Sequence, residues 1–90
     1  MNKELIDSQI DKKSKKIQKY KLILYNDDYN TFDHVADSIV EVCNYTYEQA
    51  CQCAIIAHYK GKYDIKSGTY NALLPIKNRL TDKELTVTIE

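Results

Sequence analysis

The sequence predicts an α+β sandwich in the order β-α-α-β-α-β, a three-stranded antiparallel sheet with its helices packed on one face. Three observations lead there. Tyr20-Lys21-Leu22-Ile23-Leu24-Tyr25 is a short, β-prone apolar run of the kind that forms a central strand. Two later segments repeat apolar residues at helical spacing. The last six residues alternate, with Leu85, Val87 and Ile89 against Thr86, Thr88 and Glu90, as a half-buried edge strand does.

Ninety residues allow one domain with a small core. Residues 1–18 read as a flexible basic N-terminal extension, rich in Lys, Asp, Ser and Gln and without aromatics. Residues 19–90 read as the folded core. Charge divides along the same line. Residues 1–21 hold seven lysines against Glu4, Asp7 and Asp11, a net of +4, so the remainder carries −4 of a formal total of zero.

After the first strand, residues 26–30 have turn chemistry. Phe32, Val35, Ala36, Ile39, Val40 and Cys43 then mark one face of a helix, with Asn30 expected as its N-cap. A second helix begins after Asn44-Tyr45, where Thr46 and Gln49 have capping-box spacing. Its expected apolar stripe is Tyr47, Ala50, Cys51, Ala54, Ile55 and His58, and Gly61 is placed to end it. Lys62 to Ser67 reads as a strand with Tyr63 and Ile65 on one face, and Gly68-Thr69 as a turn. Tyr70 to Leu80 reads as a third helical segment that starts near Pro75 or bends there, because proline cannot sit deep in a helix.

The chemistry concentrates in Asn26-Asp27-Asp28. Two carboxylates and a carboxamide at one edge of a small fold form a cluster mainly of acceptors. It suits a partner rich in N–H donors or a metal ion. The bland alternative is a turn that caps itself with its own side chains. His58, alone on a helical stripe, is more commonly a packed structural group than a working one. Topology shifts that balance. A short link makes the two helices antiparallel, so the end of the second returns to the start of the first, beside the acidic turn.

These residues resemble the ClpS family, adaptors for N-degron substrates. The likeness rests on Tyr20-Lys21-Leu22-Ile23-Leu24-Tyr25-Asn26-Asp27-Asp28-Tyr29-Asn30 and on Ala57-His58-Tyr59-Lys60-Gly61-Lys62. It runs from about residue 20 to 62 and resumes at 85–90. The resemblance implies a non-enzymatic adaptor. Such a protein would bind the free α-amino group and large hydrophobic side chain of a substrate beginning with Leu, Phe, Tyr or Trp. It would deliver that substrate to the N-terminal domain of a Clp-type AAA+ unfoldase and its peptidase. It further implies that Asn26, Asp28 and His58 hold the α-amino group. Asp27, Tyr29, Asn30, Phe32, Ala54, Ala57 and Leu85 would surround the side-chain pocket, and Lys77 would match a position that docks the unfoldase. No cofactor or metal is expected, and a cytoplasmic monomer is.

Several residues depart from the family pattern. Asn30 stands where Thr is typical, Thr31 where Pro is common, and Phe32 where a Met usually gates the pocket. Ala54 and Ala57 replace larger apolar groups, and the segment after Gly68 is short. Phe32 takes space from the pocket whereas the alanines release it.

Other readings carry less. Cys51 and Cys53 lie about 200° apart around a helix and cannot share a metal ion. Cys43 and Cys51 are expected to be buried. No further His or carboxylate at ligand spacing, and no Ser or Cys nucleophile beside His58, accompanies Asp27, Asp28 and His58 to make a metal-dependent hydrolase. Lys12-Lys13-Ser14-Lys15-Lys16 could touch phosphates, but the acidic core behind it disfavours nucleic acid. Eight tyrosines with a single arginine, Arg79, suit half-buried positions better than base stacking. Three cysteines and the lack of any apolar stretch of signal-peptide or membrane length point to free thiols in a reducing compartment, with no membrane partner. A protein-interaction module of the same shape, without a pocket for a terminal residue, is the alternative function.

Overall fold

The computed structural model describes residues 18–90, so the basic extension lies outside the described residues except for Gln18. The order of elements is β1 (Tyr20–Tyr25), α1 (Phe32–Cys43), α2 (Tyr47–Lys60), β2 (Lys62–Gly68), α3 (Tyr70–Asp82) and β3 (Val87–Ile89). The expected α+β order holds. β1 is the central strand of the sheet β2-β1-β3, antiparallel to both neighbours.

Burial explains why β1 is central. Leu22 and Leu24 point into the core and are essentially inaccessible. Ile23, on the opposite face, is also buried but stands outside that core. In β2 the ladder slips between Leu22 and Ile23, whose partners are Lys66 and Asp64. Ile65 is the extra residue of this bulge. Its side chain is buried in the core, and its carbonyl accepts a hydrogen bond from the Tyr45 hydroxyl.

Three helix starts share one chemistry. Thr31, Thr46 and Thr69 are extended residues whose hydroxyls accept from the N–H groups of His34, Gln49 and Ala72. At Thr46 the box is complete, since the Gln49 side chain accepts from the Thr46 N–H in return at 2.9 Å. Gly61 closes α2 in left-handed backbone at φ 91°, with its N–H donating to the Ala57 carbonyl.

Four expectations need correction. The cap of α1 is Thr31, not Asn30, because the Asn30 side chain is engaged elsewhere in the loop. α3 starts at Tyr70 and carries Pro75 within it. The Thr69 cap nucleates the helix a turn and a half earlier, and the proline gives up the bond to the Asn71 carbonyl that an N–H there would make. The buried face of α2 is Ala50, Cys53, Ala54 and Ala57. It is turned away from the expected stripe, so Cys51 is only half-buried, while Tyr47, Ile55 and His58 are exposed. The small residues win because α2 lies close against α1 and β2, where bulk would separate the elements. β3 is shorter than the alternation, but Leu85 and Val87 are both buried.

Candidate functional site

The acidic turn begins where β1 ends. Tyr25 pairs with Lys62, and the Asn26 N–H donates to the Gly61 carbonyl at 2.9 Å. The end of α2 is thereby tied to the start of the loop. His58 lies in the last turn of α2, three residues before Gly61. Its ring meets Tyr59 edge to face at 5.3 Å between centroids.

These elements enclose a cavity of about 290 Å³. Asn26, Asp27, Asp28, Asn30 and His58 give it polar groups, and Phe32, Ala54, Ala57 and Leu85 give it apolar ones. All nine were expected around one site. Leu24, Tyr25 and Val35 also line it and were missed. The alternation of β1 and the stripe of α1 already carried the signal for Leu24 and Val35. Tyr25 had none, since its placement follows from the pairing with Lys62. Tyr29, expected in the pocket, is not part of the lining and is 76% exposed. Its phenol instead stands beside the Glu84 carboxylate, which pushes its pKa up. Lys77 lies half-buried on α3, away from the cavity lining.

The two carboxylates differ in their surroundings. Asp27 accepts from the N–H groups of Tyr29 and Asn30 at 3.0 and 2.9 Å, from the Asn30 amide, and from the Thr86 hydroxyl at 2.9 Å. Burial pushes this carboxyl's pKa up, but the hydrogen bonds from Asn30, Thr86 and Tyr29 outweigh it and hold the pKa below its ordinary value. Asp27 is therefore the self-capping residue of the turn. Asp28 and Asn26 are exposed. Among the described residues, neither they nor His58 spend a side-chain hydrogen bond on the protein itself. One carboxylate, one carboxamide and one imidazole thus line the edge of an apolar hollow without a side-chain hydrogen bond to the described residues.

Tyr25 is braced from outside the cavity. Its hydroxyl donates to the Glu90 carboxylate, and Lys62 stands over its ring at 5.8 Å. The Glu90 pKa is lowered, first by the hydrogen bond from Tyr25 and then by that from Thr88.

The thiols take no part in the cavity. Cys43 and Cys53 are buried, and burial raises the pKa of both. Among the described residues, no group of three or more His, Cys, Asp or Glu could hold a metal ion. No helix among them is long and apolar enough to cross a membrane.

Comparison with known proteins gives a consistent family. The family model described as "ATP-dependent Clp protease adaptor protein ClpS" matches residues 15–88. The ATP-dependent Clp protease adapter proteins ClpS of Salmonella paratyphi B and of Erwinia tasmaniensis are each 34% identical over 59 residues. That match covers 66% of this chain and spans 56% of the length of those relatives. Among solved structures, Agrobacterium tumefaciens ClpS2 bound to L-phenylalaninamide shares the fold. Its TM-score is 0.77 at 24% identity, covering 81% of this chain and 95% of that one.

Proposed function

Because the chain belongs to the ClpS family of Clp protease adaptors, we propose that it binds the free α-amino group and large hydrophobic first side chain of N-degron substrates. It delivers them to a Clp-type AAA+ unfoldase and peptidase. The observation that carries this is the two-sided cavity, with Asn26, Asp28 and His58 at its polar edge and Ala54, Ala57 and Leu85 among its apolar walls. An α-ammonium offers three N–H donors to groups that include a carboxylate and a carboxamide oxygen. The His58 imidazole adds a further hydrogen-bonding group at the same edge. The ligand in the A. tumefaciens ClpS2 structure, L-phenylalaninamide, has the same two features, a free α-amino group and an apolar side chain.

The energetics are consistent. Each charge-assisted hydrogen bond to the ammonium contributes roughly 1.5–3 kcal/mol. Burial of a Leu- or Phe-sized side chain adds roughly 1.5–3 kcal/mol. Lost freedom of the peptide offsets part of this and leaves affinity near micromolar. Selectivity comes from pairing, since an acetylated terminus loses charge and donors opposite Asp28. The protein acts by binding rather than catalysis, in a reducing cytoplasm, as a monomer, and Lys77 contributes to the unfoldase contact.

Calorimetric titration of the full chain tests this. Peptides beginning with Phe, Leu, Tyr or Trp should bind, and N-acetylated or Ser-initiated versions of the same peptides should not. Equal binding of capped and free peptides would reject the reading in favour of an interaction module that ignores the amino terminus.

A further inference from the structure

The turn between α3 and β3 holds a backbone conformation that its sequence does not favour. Glu84 has φ 71°. Its N–H donates to the Thr81 carbonyl at 2.8 Å, and the Leu85 N–H donates to the Leu80 carbonyl at 3.1 Å. This is the Schellman closure of a helix, with glutamate in the left-handed position where glycine usually sits. A side chain there crowds the following carbonyl, so something outside the turn must hold it.

The loop after β1 supplies that hold. The Asn30 side-chain N–H group donates to the Glu84 carbonyl at 2.8 Å and to the Asp27 carboxylate at 3.1 Å. The His34 ring bonds the Lys83 carbonyl at 2.8 Å, and the Thr86 hydroxyl donates to Asp27. Directly after Glu84 comes Leu85, which is 4% exposed and forms a wall of the cavity. Both hydrogens of the Asn30 amide are spent on the protein, so neither remains for a ligand.

We propose that Asn30 is a positioning residue. Its amide bridges the Asp27 carboxylate to the Glu84 carbonyl, keeps the Glu84 turn left-handed, and so sets where Leu85 stands in the pocket. The effect on the turn is independent of any ligand, whereas the effect on binding rests on the function proposed above.

A double-mutant cycle separates this role from a general structural one. Glycine takes left-handed backbone freely, so Glu84→Gly should make the turn self-supporting. In the full chain, Asn30→Ala should speed hydrogen exchange at the 84 and 85 amides by about tenfold relative to the parent. In the Glu84→Gly background the same change should speed it by less than about threefold. Asn30→Thr keeps one donor in place of two and should fall between. Affinity for a Phe-initiated peptide should follow the same order, weakened by about tenfold in Asn30→Ala and recovered in the double variant. Equal acceleration in both backgrounds, or none in either, would overturn the proposal. If the parent binds no such peptide, the pocket function fails, and the exchange cycle still decides the role of Asn30.

Discussion

Asp27→Ala removes the acceptor for the N–H groups of Tyr29 and Asn30, the Asn30 amide and the Thr86 hydroxyl. The site is only half-buried, so water compensates in part, and a net of about 0.5 kcal/mol for each of the donors is appropriate. The total is about 2 kcal/mol, which for a domain this small lowers Tm by about 8–16 °C. The pH dependence has a definite sign. The folded carboxyl is more acidic than the unfolded one. Its stabilisation is therefore complete above the unfolded value of about 3.9 and is lost as pH falls through the folded value. The gap between parent and variant should be widest near pH 7 and should shrink in strong acid. Thermal melts of the full chain followed by circular dichroism at both ends of that range measure it. Asp28→Ala is the matched control, because that side chain is exposed and spends no hydrogen bond among the described residues. It should melt within about 2 °C of the parent and lose about tenfold or more in affinity for a Phe-initiated peptide. An Asp27→Ala protein as stable as its parent at pH 7, or a gap that does not shrink in acid, would refute the division of labour between the two carboxylates.

Two further substitutions probe the hollow and the helix cap beside it. Ala54→Leu adds bulk to a wall of the cavity, so binding of Phe-initiated peptides should fall by about tenfold or more, and because Ala54 also lies on the buried face of α2, Tm should fall as well. Unchanged affinity in calorimetry would mean that the side chain enters elsewhere. At Gly61 an added Cβ would meet nothing within 4 Å, so Gly61→Ala costs backbone strain alone. At φ 91° that strain is about 1–2 kcal/mol, visible as a Tm lowered by about 4–16 °C. An unshifted melt would count against the left-handed cap as the element that ties α2 to the Asn26 backbone.

The parts of the fold legible in the sequence are those where local chemistry and tertiary packing agree. Thr46 and Gln49 announce a capping box, and both arms form. The alternation from Leu85 to Ile89 announces an edge strand, and Leu85 and Val87 are buried. The misread parts are those where packing decides. Periodicity along α2 allows two faces, one through Cys51 and Ile55 and one through Cys53 and Ala57. Only the close approach of α1 and β2 selects the second, because small side chains fit there. Pro75 is similar. The rule against proline inside a helix is a statement about cost, and a strong cap at Thr69 together with the burial of Leu73 and Leu80 outweighs the loss of one bond.

Within the candidate site the same distinction separates the groups that face outward from those that hold the frame. The Asn26-Asp27-Asp28 turn and His58 could be brought together from sequence because a two-helix hairpin must return its end to its beginning, and Gly61 marks that end. The choice of Asn26, Asp28 and His58 among these residues rests instead on the resemblance to the family. Asp27 and Asn30 could not be told apart from them by residue type. An aspartate that serves a ligand and one that caps its own turn have the same side chain, and only the donors around it decide. Here those donors include Thr86, fifty-nine positions along the chain, while the Asn30 amide reaches Glu84, fifty-four positions away. Such partners have no local signature. What sequence does carry is the absence of glycine at position 84, where the Schellman closure asks for one. A helix end that lacks its usual residue needs support from elsewhere, and in this fold the support comes from the loop that forms the polar side of the cavity. The geometry of the pocket wall is therefore coupled to the acidic turn through two side chains that need not touch a ligand at all.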